Sequence, residues 1–473
     1  MPSYPVTDPC PSFERTLAPF LTDAGLPFAD VLSAADVAAA FAAEQVDFGK
    51  ARHAVFTPVL TLWAFLSQVV CKDKSCRAAV SRVLVLLVAL ERGPCSEDTA
   101  AYCRARAKLP AVVLRRLGRQ VAGNLERAVP SDWLWQGKHV QLVDGTTLTM
   151  PDTPANQAAY PQGPHQKPGL GFPILRLVWL LSLATAACWG VAWGPYRGKD
   201  TGETALVREL LDDLAGVDVL LADRYYCTYW LVALAVARGK DVVFRMHHRR
   251  HDDFRRGRRL GKADHVVVWQ RPARPAWMDA ATYATMPLTL TVRELRVPVV
   301  TPGCRTKELV IVTTLTDAAA YTKDDIADLY HERWHVETDL CAIKQALQMD
   351  HLRCRTPFLV EKEIWAHVLG YNLIRKVACQ AALEAGVHPR AVSLTATRQT
   401  LEAAWSQLSL LAASERVRQG RHFLGEVAKE RVGNRPDRYE PRALKRRPKE
   451  YDRLNKPRAQ ARANLLRGKS GNA

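Results

Sequence analysis

Apolar positions divide the chain into stretches of different period. From residue 29 to about 130, Ala- and Leu-rich runs recur at helical spacing. Examples are AADVAAAFAAEQ (34–45) and RAAVSRVLVLLVALERG (77–93), the second broken by Gly93-Pro94. Ser96-Glu-Asp-Thr predicts a further helix start, and the helix after it carries Arg104, Arg106 and Lys108 just before Pro110.

Beyond residue 135 the period alternates between strand and helix. HVQLVDGTTLTM (139–150) predicts a strand running into a turn at Asp144-Gly145. Two apolar runs follow at 174–194. TGETALVRELLDDL (201–214) predicts a helix with Thr201 as its N-cap, and VDVLLAD (217–223) a buried strand ending at Asp223. TYWLVALAVARG (228–239) predicts a helix, and DVVFRM (241–246) a strand. This β-β-β-α-β-α-β order predicts an α/β fold with a mixed sheet.

The pattern changes again at HHRRHDDFRRGRRLGK (247–262), which is intensely basic. Short β-rich runs at 265–270, 288–297 and 308–315 then predict an inserted β-subdomain, and helices resume at Tyr321 and continue to about 385. The expected multidomain organisation is a helical region 1–135, a core in two parts (136–246 and 316–410), the β-rich insertion 247–315, and a basic tail 411–473.

The run from Leu177 to Gly194 is apolar and uncharged over 18 residues, long enough to raise the question of a membrane span. Trp179, Val178, Val191 and Trp193 favour two buried strands joined near Ala184–Ala187, so no membrane partner is expected. Eleven scattered cysteines, an odd number without a CxxC pair, predict reduced thiols rather than a zinc ribbon or a disulfide framework. The first residues lack a basic start followed by an apolar stretch, so a cytoplasmic protein is expected.

Charge narrows the partners. The chain carries 66 Lys and Arg against 48 Asp and Glu, a net charge of +18, which suits an anionic partner. From Arg431 to Ala473, fourteen Lys and Arg face four Asp and Glu, in a Pro-interrupted tail suited to phosphate contact. The Arg104–Lys108 run reads equally as a DNA-reading helix or as a solvated face.

Candidate chemistry lies in three acids. Asp144 and Asp223 stand at predicted strand ends, where adjacent strands can bring two carboxylates to one site, although such residues also form turns. Glu337 lies in YHERWHVETDLCAIK (330–344), on a helix that Thr322 can cap in a capping box with Asp325. At about 100° per residue, Tyr330, Arg333, Glu337 and Lys344 share an arc of about 60° on one face. One acid is thus flanked by two cations and a phenol; the plainer reading is a solvated face with i,i+4 pairs.

Tyr330-x2-Arg333-x3-Glu337-x6-Lys344 resembles the signature of cut-and-paste bacterial transposases of the insertion sequence type 4 family. Asp144-Gly-Thr-Thr and Asp223-Arg-Tyr-Tyr match the sites of that family's two catalytic aspartates. The β-rich insertion, the helical N-terminal region and the tail Arg442-Ala-Leu-Lys-Arg-Arg-Pro-Lys also resemble it, over about residues 55–460. The resemblance implies a ribonuclease H-like catalytic core in which Asp144, Asp223 and Glu337 hold two Mg²⁺ ions, with Mn²⁺ able to substitute. Hard oxygen ligands suit such ions, which serve in-line phosphoryl transfer. It also implies DNA as partner, both the terminal inverted repeats and the target, with cleavage through a hairpin in a homodimeric complex.

Tyr330, Arg333 and Lys344 are the expected phosphate contacts at the transposon end. Further DNA contacts are expected from Arg249, Arg250, Arg255 and Arg256, and from Lys445, Arg446 and Arg447 in the tail. Relatives hold a flipped base with an aromatic of the inserted domain. Trp269 is the nearest such residue here, with core packing as the alternative role.

His331-Glu332-Arg333-Trp334-His335 also fits the HExxH pattern of zinc peptidases. That reading leaves Asp144, Asp223 and the basic tail unexplained. A third reading, a transposase-derived protein that binds DNA without cutting it, is opposed only by the presence of all three acids.

Overall fold

The structure is a computed structural model and describes residues 12–50, 54–92, 96–299, 307–433 and 454–467. Its strands are β1 (Val140–Thr149), β2 (Ile174–Ser182), β3 (Cys188–Pro195), β4 (Val219–Ala222) and β5 (Asp241–Arg245), followed by β6 (Arg258–Gly261), β7 (Asp264–Gln270), β8 (Thr289–Pro298) and β9 (Glu308–Thr313). Among the described residues they form one sheet in the order β3-β2-β1-β4-β5-β9-β8-β7-β6. β1, β2 and β3 pair antiparallel, whereas β1, β4 and β5 pair parallel.

The apolar run at 177–194 is the β2–β3 hairpin. Leu177, Trp179 and Leu181 enter one core cluster and Val178 and Leu180 the other, so β2 is buried on both faces. That is why it lacks polar alternation. No helix among the described residues is long and apolar enough to cross a membrane.

The β-rich stretch after residue 247 joins this sheet. β9 pairs antiparallel with β5, setting Phe244 opposite Val312, and β8, β7 and β6 follow outward. The pairing satisfies the outer edge of β5, where unpaired backbone groups would otherwise be left.

A 28-residue helix, Pro357–Glu384, forms the axis of the larger core. Thr356 caps it by accepting from Leu359 N, with Pro357 at the first helical position. It is buried along nearly its whole length, beneath the helices Pro58–Val70, Ala111–Arg127, Leu394–Leu410 and Ala413–Lys429. Asn372, midway along it, donates to Cys188 O and Gly118 O, both at 2.9 Å, and accepts from Cys188 N at 2.7 Å. One buried amide thereby ties the long helix to β3 and to Ala111–Arg127, with its polar atoms satisfied.

Two local expectations are revised. Arg106 on the helix Thr99–Lys108 is buried, donating to Gln68 Oε1 at 3.0 Å with its guanidinium beside the Phe65 and Tyr102 rings. It packs the helix instead of facing a partner. The helix after Thr201 starts one residue later than expected, at Glu203. Gly202 takes the N-cap, and the Thr201 hydroxyl donates to Gly198 O at 3.3 Å.

Candidate active site

Strand register brings the two aspartates together. β1 and β4 run parallel, and their last paired residues are Val143 and Ala222. Asp144 and Asp223 each follow by one residue, so they emerge side by side on adjacent strands, about 4.8 Å apart in backbone spacing. The expected turn at Asp144-Gly145 does not form. β1 continues to Thr149, because β2 pairs with it along this whole stretch, Asp144 opposite Trp179. It is β4 that ends. Asp223 then leads into a turn in which its Oδ1 accepts from Tyr225 N at 2.7 Å.

Glu337 arrives from the far end of the chain. The capping box forms as expected, with Thr322 and Asp325 bonded reciprocally at the start of the helix Lys323–Glu332. The single continuous helix expected through Lys344 does not. It stops at Arg333-Trp334 and restarts as His335–Cys341, with tightened bonds from Val336 N to Arg333 O and from Glu337 N to Trp334 O. It then widens into a π turn, Ala342–Ala346, of the kind often found at functional sites. Asp339, two residues past Glu337, is buried against Arg375 at 2.8 Å and Arg390 at 3.1 Å. This pinned ion triad anchors the segment on which Glu337 stands.

The break keeps Arg333 and Glu337 in contact. Arg333 Nη2 donates to Glu337 Oε1 at 2.8 Å, and its positive charge acts on Asp144. Lys344 Nζ donates to Thr146 Oγ1 and Thr147 O, both at 3.3 Å, just past Asp144 on β1. Tyr330 is buried, and burial pushes its phenol up to about 12 against the pull of the Arg333 and Arg245 charges. Burial likewise pushes the Asp144 carboxyl up to about 6. A hydrogen bond from Gly145 N and the Arg333 charge oppose that rise, while Asp223 and Glu203 add to it.

Glu203 was not anticipated. It opens the helix Glu203–Leu210, and its Oε2 accepts from the Tyr226 hydroxyl at 3.2 Å. Burial raises its carboxyl too, opposed by that hydrogen bond and by the Arg176 charge. Its one sign in the sequence is Gly145, whose missing side chain leaves the room it occupies.

Asp144 and Glu337 thus meet the charge of Arg333, with Asp223 and Glu203 near enough to Asp144 to raise its carboxyl, and such a group of hard oxygen donors suits a divalent cation. As they stand, no three His, Cys, Asp or Glu side chains among the described residues are arranged to hold a metal. Glu337 is held by Arg333. The HExxH residues do not form a zinc pair either. The helix breaks between them, and Glu332 Oε2 instead lies 2.8 Å from His335 Nε2.

The basic stretch lies beyond Asp223. Arg249 is exposed, and so are Arg255 and Arg256, which pair with Asp253 at 2.8 and 3.2 Å. Arg250 is half-buried, its guanidinium 3.5 Å from the Trp269 ring centre. Trp269 is buried and donates to Glu294 Oε1 at 2.8 Å, so it packs. Arg224, Arg245, Arg250, Arg296, His247 and His248 line an open cleft of about 370 Å³, together with Asp252 and Glu308, which pair with Arg296. Arg224 and Arg296 lie far from the basic run in sequence and join Arg245 and Arg250 only through the fold. Lys445, Arg446 and Arg447 lie outside the described residues.

A family model described as the transposase DDE domain matches residues 135–373, spanning both aspartates, Glu337 and Lys344. The chain belongs to the DDE transposase family. This transposase is 26% identical, over 365 residues, to the transposase InsG for insertion sequence element IS4 of Escherichia coli (strain K12). That alignment covers 74% of this chain and 77% of the relative, and the resemblance to insertion sequence type 4 transposases holds. Among solved structures, the transposase matches a piggyBac transposase synaptic complex with hairpin DNA at a TM-score of 0.41 and 11% identity. The match covers 91% of this chain and 86% of that one.

Proposed function

We propose that this transposase binds the ends of its insertion sequence and catalyses metal-dependent DNA strand cleavage and strand transfer, as a cut-and-paste enzyme. The observation that carries this reading is the β1–β4 register, which sets Asp144 beside Asp223, with Arg333 linking that pair to Glu337. The strand order β3-β2-β1-β4-β5, antiparallel then parallel, supports a ribonuclease H-like core.

Asp144, Asp223 and Glu337 would hold two Mg²⁺ ions, for which Mn²⁺ substitutes. When bound, such cations supply activation of water or a DNA 3′-hydroxyl and stabilisation of the leaving oxygen. The chain's own residues position the DNA. Arg333 can turn from Glu337 to grip a phosphate with two parallel N–H groups. Lys344, held beside β1, offers a point charge to the next. Tyr330, packed against Arg333, limits the directions that guanidinium can take. The arginine-lined cleft beside Asp223 and the exposed Arg249, Arg255 and Arg256 extend a track for the backbone. The tail cations Lys445, Arg446 and Arg447 would add to it. The hairpin route and a homodimeric synaptic complex rest on the family resemblance, as does end binding by the helical region 1–135.

Cleavage of linear DNA carrying the element's ends tests the reading. Glu337→Gln is expected to abolish Mg²⁺-dependent cleavage, by about 10³-fold or more, while leaving end binding nearly intact. Glu332→Gln is expected to cleave like the parent. Loss of activity in Glu332→Gln, with zinc copurifying, would instead support the peptidase reading. End binding by the parent chain without any cleavage would support a non-catalytic DNA-binding protein.

A further inference from the structure

Glu203 and Glu337 approach the same strand from opposite faces of the sheet. The helix Glu203–Leu210 packs through Leu206, Val207 and Leu210 onto the side that includes Val143 and Val178. The segment carrying Glu337 packs through Val336 and Leu340 onto the side that includes Leu142 and Leu221. Gly145, next to Asp144, lets the first helix come close. A methyl group at that position would sit 2.4 Å from Glu203 Cδ and 2.6 Å from its Oε1. Distances under about 3 Å are not tolerated between such atoms, so this absent side chain is the cradle of the Glu203 carboxyl.

The cradle leaves that carboxyl without a cation. Its one hydrogen bond on a side chain comes from Tyr226, three residues past Asp223. Arg176, the basic group whose charge reaches it, donates its Nη1 to Thr201 O at 3.0 Å. No ion pair to Glu203 occurs among the described residues, whereas Glu337 has Arg333. The Asp144-Gly145 and Asp223–Tyr226 segments therefore both serve to seat a carboxylate as well as to supply one.

We infer that Glu203 is a fourth carboxylate of the cation site, contributing a hard oxygen from the sheet face opposite Glu337. This rests on the proposal that Asp144, Asp223 and Glu337 hold divalent cations. A fourth acid raises the negative charge available to the cations when Arg333 turns to DNA. Glu203 is then a ligand of the cation and takes no proton in the reaction.

Mn²⁺ titration of the full-length chain without DNA, followed by calorimetry, tests the inference on the parent, Glu203→Gln, Tyr226→Phe and Asp144→Asn. Gln keeps the size of Glu203 and its acceptor for Tyr226 but removes the charge. Glu203→Gln is expected to weaken Mn²⁺ binding about tenfold or more, within the range for groups that support a metal site. Tyr226→Phe, which keeps the charge and removes only a supporting hydrogen bond, is expected to weaken Mn²⁺ binding less than Glu203→Gln does. Parent-like Mn²⁺ binding by Glu203→Gln, with Asp144→Asn impaired, would overturn the inference and leave Glu203 as a partner for Tyr226 alone. So would a loss in Tyr226→Phe equal to that in Glu203→Gln. Parent-like binding by Asp144→Asn would bring down the cation-site proposal itself.

Discussion

Lys376 is a cation in the middle of the core helix Pro357–Glu384, fully buried, and its Nζ has no hydrogen-bond partner among the described residues. Burial pushes its ammonium from 10.5 down to about 7, against the pull of the Asp23 and Asp30 charges. The sign of the resulting pH dependence follows from proton counting. Between about pH 7 and 10.5 the unfolded chain keeps the proton that the folded chain has released, so stability rises with pH across that window. Below pH 7 the folded chain carries a buried charge. Lys376→Met is expected to raise the melting temperature at pH 6 by at least about 2 °C, the shift that roughly 1 kcal/mol produces in a large domain. It should also flatten the slope between pH 7 and 10. A melting temperature that tracks the parent at every pH would contradict this account of the residue. Nothing in the sequence sets Lys376 apart from a surface lysine, because its burial depends on helices drawn from both ends of the chain.

At the scale of elements, local pattern was readable and continuity was not. The capping box at Thr322 and Asp325, the β2–β3 hairpin inside an apolar run, and the strands leading to Asp144 and Asp223 all follow from neighbouring residues. The helix break at Arg333-Trp334 does not, since no Pro or Gly marks it. Past the break, Asp339 is locked between Arg375 and Arg390, which come from parts of the chain distant in sequence. A uniform turn of about 100° per residue still put Arg333 near Glu337, because that pair spans a single turn. Lys344 reaches β1 through a π turn that no wheel would draw. Asp144 shows the reverse error. Asp-Gly suggested a turn, yet cross-strand pairing with β2 carries the strand on, and the strand end belongs to β4. The acids Asp144, Asp223 and Glu337 were picked out by residue type and spacing, whereas the approach of Glu203 depends on the space above Gly145, which no local pattern marks.

At the scale of the whole molecule, the +18 charge acts through where it is exposed. Arg106, Arg293, Arg375 and Lys376 are spent in the interior. Arg249, Arg255 and Arg256 stand in solvent, and the cleft beside Asp223 gathers four more arginines. Affinity for end-bearing DNA is expected to fall about 10³-fold or more between 50 and 200 mM salt, as for proteins that neutralise several phosphates. Replacing Arg255 and Arg256 with Ala should reduce the slope of log affinity against log salt by about 0.9 for each phosphate that is no longer neutralised. A flat salt dependence, or an unchanged slope in the double variant, would remove this surface from the DNA track.

The central claim is that strand register makes Asp144 and Asp223 one site with Glu337. Single-turnover cleavage of end-bearing DNA in Mg²⁺ by Asp144→Asn and Asp223→Asn, compared with Glu337→Gln, tests it most directly. The account predicts that each loses cleavage by about 10³-fold or more, that the losses do not add when two are combined, and that all three still bind the ends. Near-parental cleavage by either aspartate variant would contradict it.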